Sequence, residues 1–166
     1  MIVIADTSPL HCFILLEHAE VLQELYGRVI IPQAVVLELR AEKAPLAVKE
    51  WIRRPPDWLE VRQITIPADL ELAKLDAGER EAIALAEALG ADALLLDERA
   101  GRREAERRKI RVIGTVRILD DAADAGFVNL PESLQKLKEF GFYLDHKLVQ
   151  FLLERHAGRE RRKSGN

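Results

Sequence analysis

Short apolar runs alternate with amphipathic segments along the chain, and this alternation limits the folds that the sequence can adopt. The runs "MIVIA", "RVII", "ALLL" and "RVI" are apolar almost throughout, rather than at every second position. Strands that are buried on both faces have this pattern. The segments between them have helical periodicity, as in "DAGEREAIALAEALG", which ends at a glycine. The sequence therefore predicts an α/β fold with a mostly parallel sheet between layers of helices.

The size and composition of the chain indicate a single domain. Its 166 residues are enough for one substantial core. No apolar run approaches the roughly 20 residues of a membrane-spanning helix, and the N-terminus lacks the pattern of a signal peptide. Cys12 is the one cysteine, so no internal disulfide can form. We therefore expect a cytoplasmic protein with one domain over residues 1–157 and a basic, disordered tail over residues 158–166.

Positive charge is concentrated in one part of the chain, although the net charge is −3. Residues 98–111 contain six arginines and one lysine against three glutamates, a local charge of +4. This segment is predicted to be a helix that begins just after the strand "ALLL". Two interpretations remain open. The segment is either a solvated helix face or a surface on which Arg99, Arg102 and Arg103 bind backbone phosphates.

Acidic residues follow the predicted strands at the positions where ligand sites form. Asp6 ends the first apolar run, and Asp97 follows "ALLL". Glu38 lies in the helix after the second strand, and Glu79 lies in the first turn of the helix before "ALLL". Sites in parallel sheets lie beyond the carboxyl ends of the strands, so we expect all four carboxylates at one edge. Because crowded carboxylates repel each other, the group favours a divalent cation, and oxygen ligands suit Mg²⁺ or Mn²⁺.

Each of the four acids also has a simpler interpretation. Asp6 and Asp97 could each cap the helix that follows, and Glu38 could be one more charge on a helix surface. The segment "DAGE" has the pattern of a capping box, with Asp76 as the cap and Glu79 at the third position. The metal-site interpretation therefore depends on the shared position of the four acids and not on any one of them.

The set of segments "ADTSPL", "VVLELR", "GEREAIALA" and "LLLDERAGRR" resembles a PIN domain. The similarity extends over nearly the whole chain and points to a prokaryotic PIN-like subfamily of unassigned function, related to the VapC-type toxin nucleases. PIN domains are metal-dependent ribonucleases with a three-layer α/β/α fold. The resemblance therefore implies a catalytic and metal-binding quartet that consists of Asp6, Glu38, Glu79 and Asp97. It also implies supporting hydroxyl groups near the metal, on Ser8 and Thr115.

By this resemblance the chain is a Mg²⁺- or Mn²⁺-dependent endoribonuclease and the toxin of a toxin–antitoxin pair. The expected partners are an RNA substrate, a small antitoxin protein and a second copy of the chain in a homodimer. The alternative is a catalytically weak PIN-like module that binds RNA or protein. Two departures from the VapC pattern favour this weak module. The third acid is Glu79 where those toxins often have Asp, and "DERAG" lacks their usual Asp-x-Asp-Phe end. A receiver-type signalling domain is disfavoured, because "VIGTV" offers Thr115 and no lysine.

Overall fold

The central feature of the computed structural model is a five-stranded sheet in which all neighbouring strands are parallel. The structure describes residues 1–165. The strands are β1 (Val3–Ala5), β2 (Val29–Pro32), β3 (Leu59–Arg62), β4 (Ala93–Leu95) and β5 (Val112–Ile113). Their order across the sheet is β3-β2-β1-β4-β5. The predicted parallel sheet is confirmed, and the winding reverses between β1 and β4, where ligand sites of such sheets lie.

Helices fill most of the chain between and after the strands. In the first part of the chain they are α1 (Thr7–Leu15), α2 (Glu20–Tyr26), α3 (Gln33–Leu39), α4 (Leu46–Arg53), a 3₁₀ helix (Leu72–Lys74), α5 (Ala77–Leu89) and α6 (Arg99–Arg107). The later helices are α7 (Thr115–Asp124), α8 (Leu130–Glu139) and α9 (His146–Ser164). The chain divides into two compact units, Met1–Thr115 and the residues from Val116 onward, and the sheet belongs to the first. None of the helices in residues 1–165 has the length and apolar character needed to span a membrane.

Both faces of the sheet are buried. Ile4 pairs with Ile30 and with Leu94 in register, and these side chains share one core with Ile83 of α5. Val3, which points to the opposite face of β1, is also fully buried. A sheet that is covered on both sides is the middle layer of a three-layer α/β/α fold, as the sequence predicted.

Helix α5 begins and ends where the sequence places it. Asp76 Oδ1 accepts a hydrogen bond from Glu79 N at 2.9 Å, and Glu79 Oε2 accepts one from Asp76 N at 3.4 Å, so the predicted capping box forms. The helix ends at Gly90, whose φ of 58° lies in the left-handed region that glycine adopts most readily. The side chain of Glu79 is thereby held at the first turn of a helix that packs against the sheet.

Helix α9 is longer than predicted. It continues to Ser164, through residues that the sequence indicated as a disordered tail. In this second unit, Arg159 of α9 donates a hydrogen bond of 2.6 Å to Asp120 of α7, and Arg155 lies 3.2 Å from the same carboxylate. Asp120 is buried, and a buried carboxylate requires such partners. This contact was not visible in the composition of the tail. A domain boundary at residue 157 remains a prediction.

Part of the basic stretch 98–111 has a structural role. Only 8% of the Arg108 side chain is exposed, and its guanidinium contacts Asp69 at 2.6 Å, Glu87 at 2.8 Å and Glu104 at 2.7 Å. These contacts join α6 to α5 and to the segment before the 3₁₀ helix. Arg107, by contrast, is 61% exposed and pairs with Glu104. The local charge of +4 therefore overstates the positive charge that a ligand would meet.

The substitution Arg108→Ala is expected to lower the free energy of unfolding by roughly 1.5–3 kcal/mol, because the chain loses hydrogen bonds to a charged group of low exposure. Arg107→Ala, at the preceding residue, should change the free energy of unfolding by about 0.5 kcal/mol or less, since exposed ion pairs contribute little. Urea unfolding of both variants measures the difference. Equal effects would contradict a structural role for Arg108.

Candidate active site

The four predicted acids lie at the carboxyl-terminal edge of the sheet. The register pairs Ala5 with Leu95, so Asp6 is level with Leu96 and Asp97 follows one residue later, and both acids lie just beyond the ends of β1 and β4. Glu38 lies on α3, which follows β2 directly. Helix α5 leads into β4, so its first turn, with Glu79, lies at the same edge. The parallel topology that the sequence predicted therefore brings all four acids to the carboxyl-terminal edge of the sheet.

Asp6 is the most deeply buried of the four acids. It is 3% exposed, and its Oδ1 is buried without a hydrogen-bond partner among residues 1–165. It occupies the N-cap position of α1 but makes no side-chain capping bond, so the capping interpretation explains its position and not its burial. Burial raises the pKa of Asp6 to about 7. The Thr7 amide opposes this rise, while the charges of Glu38, Asp76 and Glu79 add to it.

Glu38 is held by donors from two other helices. Thr7 Oγ1 donates to Glu38 Oε2, and Gly78 N donates to Oε1 at 2.9 Å. The carboxylate lies so close to the backbone of α5 that a Cβ atom at position 78 would be 2.7 Å from both oxygens. Glu38 is therefore fixed between α1 and α5, and the interpretation of a solvated charge on a helix surface does not describe its surroundings.

Glu79 uses one carboxylate oxygen in the capping box, and the other faces α6. A Cβ atom at Gly101 would lie 3.2 Å from Glu79 Oε1. Burial raises the pKa of Glu79 to about 7, and the charges of Asp76, Glu98 and Glu38 raise it further against the opposing amide of Asp76. The capping-box interpretation is thus confirmed. The capping box uses Glu79 Oε2 and leaves Oε1 for a ligand.

Asp97 is oriented by Thr115, one of the two predicted supporting hydroxyl residues. Thr115 N donates to Asp97 Oδ1 at 2.8 Å, and Thr115 Oγ1 donates to Oδ2 at 2.6 Å. The guanidinium of Arg102 lies beside this carboxylate: a Cβ at Gly114 would be 3.2 Å from Asp97 Oδ1 and 2.7 Å from Arg102 Nη1. Asp97 does not cap the helix that follows it, because the N-cap residue of α6 is Glu98.

The other predicted site residues differ in how they are held. Ser8 is half-buried in the first turn of α1, and no hydrogen bond to its hydroxyl is present in the described part of the chain. Arg99 and Arg103 are exposed on α6, whereas Arg102 is half-buried and donates to the Leu96 carbonyl at 3.4 Å. The three arginines make no ion pair with any residue in 1–165. The charges of Arg99 and Arg103 are therefore available to an anion, whereas Arg102 lies beside Asp97.

Three glycines shape the acidic edge, and the sequence analysis did not identify them. Each lies where an added Cβ would press on one of the carboxylates. These contacts are Gly78 with Glu38, Gly101 with Glu79 and Gly114 with Asp97. Sequence spacing does not distinguish these residues from other helix and loop glycines. Only the close packing of α5, α6 and the β5–α7 turn against the acids reveals their role.

The donors at this edge fit a hard divalent cation in their chemistry. They are carboxylate oxygens, one of them is buried without a partner, and the pKa values of Asp6 and Glu79 are raised where negative charges crowd together. Among residues 1–165, however, no three His, Cys, Asp or Glu side chains are already spaced to hold an ion. The residue types and their location fit a metal site, whereas their spacing is not that of a preformed one.

The metal-free protein is expected to become less stable as the pH rises from about 4 to about 7. The pKa of Asp6 is about 7 in the folded chain and close to about 3.9 in the unfolded one. The folded state therefore binds more protons in this interval, and the free energy of unfolding falls by up to about 1.4 kcal/mol for each pH unit. Thermal unfolding in EDTA at several pH values measures this slope.

Asp6→Asn removes the titrating group and should flatten that pH profile, leaving the smaller contribution of Glu79. Asp57→Asn is the matched control, because Asp57 is exposed and lies before β3, away from the carboxyl-terminal edge of the sheet. This variant should keep the slope of the parent. An Asp6→Asn variant with the slope of the parent would contradict the raised pKa of Asp6.

A methyl group at position 78 should be destabilising only while Glu38 is present. In the parent, Gly78→Ala forces the Glu38 carboxylate away and is expected to lower the free energy of unfolding by roughly 1–3 kcal/mol. In a Glu38→Ala background the same change should be neutral or stabilising by up to about 1 kcal/mol, because alanine favours a helix over glycine. A double-mutant cycle by urea unfolding checks this reversal. The same cost in both backgrounds would rule out the close contact between Gly78 and Glu38.

Comparison with known families gives a match over nearly the whole chain. A family model described as a PIN domain matches residues 2–158. No curated protein and no solved structure gives a significant match. PIN domains are generally nucleases and typically use divalent metal ions, which agrees with a parallel sheet that has acids at its carboxyl edge. The chain therefore belongs to the PIN-domain family.

Proposed function

We propose that this PIN domain is an endoribonuclease that cleaves RNA phosphodiester bonds with Mg²⁺ or Mn²⁺ held by Asp6, Glu38, Glu79 and Asp97. The observation that carries the proposal is the buried, unpartnered Oδ1 of Asp6 at an edge that gathers three further acids. A buried charge without a partner is costly, and a cation would offset that cost. When bound, the ion supplies activation of water for attack and neutralisation of charge on the leaving oxygen.

The residues around the acids orient the ligand oxygens before any ion arrives. Thr7 and Gly78 hold Glu38, and Thr115 holds both oxygens of Asp97. Donors of this kind limit the reorganisation that binding requires, and sites supported in this way keep their geometry during a reaction. We assign the hydroxyl of Ser8, which is half-buried in the first turn of α1, to the site on the resemblance alone.

Helix α6 supplies positive charge next to the acids. Arg102 lies beside Asp97, and Arg99 and Arg103 are exposed on the same helix. Arginine forms strong, charge-assisted hydrogen bonds with phosphate. Contacts of this type hold the nucleic-acid backbone in position without selecting a sequence. We assign these three residues to the binding of RNA phosphates on the two sides of the scissile bond.

We further propose that the protein acts in the cytoplasm as a toxin that a small antitoxin holds inactive, and that it forms a homodimer. The support is the resemblance of its acidic segments to those of VapC-type toxins.

A second candidate function is a PIN-like module that binds RNA or protein with little catalysis. The observation in its favour is that no three acids in the described residues are spaced to share an ion. In such a module the acids would remain apart in the presence of Mg²⁺ or Mn²⁺. Addition of metal therefore separates the two functions.

Added Mn²⁺ is expected to stabilise the parent protein by about 2.7 kcal/mol when the free ion is at 100 times its dissociation constant. Asp6→Asn and Asp97→Asn should each lose most of this stabilisation and most of the RNA cleavage, because each change removes a charged ligand without altering shape. Asp57→Asn should keep both properties. Thermal unfolding with and without Mn²⁺, next to cleavage of a labelled single-stranded RNA, provides the two measurements.

The combination of the two readouts distinguishes the candidates. Retained metal stabilisation and cleavage in Asp6→Asn would defeat the assignment of Asp6 as a ligand. RNA binding by the parent without metal stabilisation or cleavage would favour the binding module.

A further inference from the structure

A cleft outside the acidic edge gathers positive charge. It has a volume of about 650 Å³ and is lined by Arg40, Leu46, Lys49, Glu50 and Arg53. Three of these residues are cations and one is an anion. Arg40 ends α3, and the other four lie on α4 at spacings of three and four residues, which places them on one face of that helix. We call this feature the α4 cleft.

The cations of the α4 cleft are not neutralised by the protein. Arg40, Lys49 and Arg53 form no ion pair within residues 1–165. Lys49 Nζ donates to the carbonyl oxygen of Glu42 at 3.1 Å, a contact that leaves its charge uncompensated. Cations collected on a concave surface raise the local potential and attract anions. The cleft is therefore suited to a ligand that carries several negative charges.

The α4 cleft lies close to the acidic edge in the fold. Arg40 is separated from Glu38 by a single residue at the end of α3, and α4 packs against both α3 and α1. Helix α1 itself begins directly after Asp6. The helices that carry the cleft therefore contact the helices next to Asp6 and Glu38, although Arg40 and Glu38, two residues apart, lie on different faces of the chain at the end of α3.

We propose that the α4 cleft binds the phosphate backbone of single-stranded RNA as a second anchoring site for a strand that also reaches the acidic edge. This inference rests on the proposed ribonuclease function. RNA suits the cleft better than an acidic protein segment, because RNA carries a charge at every nucleotide and the lining offers one exposed apolar side chain, Leu46. Three cations on one concave surface suit a ligand with repeated phosphates, whereas a docking peptide would require more apolar surface.

The test is the salt dependence of RNA binding, measured in EDTA so that no cleavage occurs. The probe is a fluorescent oligouridine long enough to cover both sites. In the triple variant Arg40→Gln, Lys49→Gln and Arg53→Gln, affinity should fall about tenfold or more, and the slope of log K against log salt should decrease by roughly 0.7 for each lost phosphate contact. Cleavage of a diuridine, which reaches only the acids, should be unchanged in the presence of Mn²⁺.

A matched control removes the same charge at the opposite edge of the sheet. Arg28 and Arg111 lie just before β2 and β5, and Lys109 lies between α6 and β5. All three are exposed, and Arg28 pairs with Glu60 at 3.2 Å. A triple glutamine variant at these positions should keep the slope of the parent. Both variants are checked by thermal unfolding. Arg40→Glu with Arg53→Glu, at two exposed positions, gives a second variant that should weaken binding further.

The outcomes separate the α4 cleft from the proposed function. A parent that cleaves RNA while the cleft variant binds with an unchanged slope would overturn the inference and leave the nuclease intact. A parent whose binding depends on the cleft but that never cleaves with Mn²⁺ would overturn the nuclease and leave the inference intact. The assignment to RNA would be overturned if the parent did not bind RNA. It would also be overturned if polyglutamate displaced the labelled RNA as effectively as unlabelled oligouridine does.

Discussion

The mutual repulsion of carboxylates at the end of β1 is the constraint on which the arrangement of this protein depends. Asp6 is almost fully buried, and its burial raises its pKa to about 7, with smaller contributions from the charges of Glu38, Asp76 and Glu79. The fold offsets part of this repulsion with helix N-termini. Asp6 and Glu79 lie at the starts of α1 and α5, and Asp97 accepts from the first amide of α7. The partial positive charge of a helix N-terminus stabilises a nearby anion, but here an oxygen of Asp6 still has no partner.

Close approach of helices to the acids is the second requirement, and glycine makes it possible. Gly78 lets α5 come within hydrogen-bonding distance of Glu38, and Gly101 lets α6 approach Glu79. A side chain at position 78 would overlap a carboxylate oxygen of Glu38, and one at position 101 would press on Leu96 and Glu79. The site is therefore a product of tight packing between α3, α5 and α6. This explains how four acids from separate segments are brought to one edge without a row of cationic partners to hold them.

The arginines of this chain have two kinds of surroundings, and charge counting does not distinguish them. Arg108 and Arg159 are largely buried among carboxylates, where they join helices within their own units. Arg99, Arg103 and Arg40 are exposed and without ion pairs in the described residues. A net charge of −3 is thus compatible with two cationic surfaces in the first unit. Those surfaces lie on α6 and α4, and both are the ones that we propose to bind the RNA backbone.

The sequence by itself determined the parallel sheet, the position of each acid along the chain and the capping box that begins α5. These follow from local rules: apolar runs that form buried strands, and short-range hydrogen bonds at a helix start. It did not determine which arginines are structural, how far α9 extends, or which donors hold Glu38 and Asp97. Thr7 and Glu38 are 31 residues apart, and Asp97 and Thr115 are 18 apart. Tertiary packing alone decided these contacts, because no periodicity in a single chain records which distant residues meet.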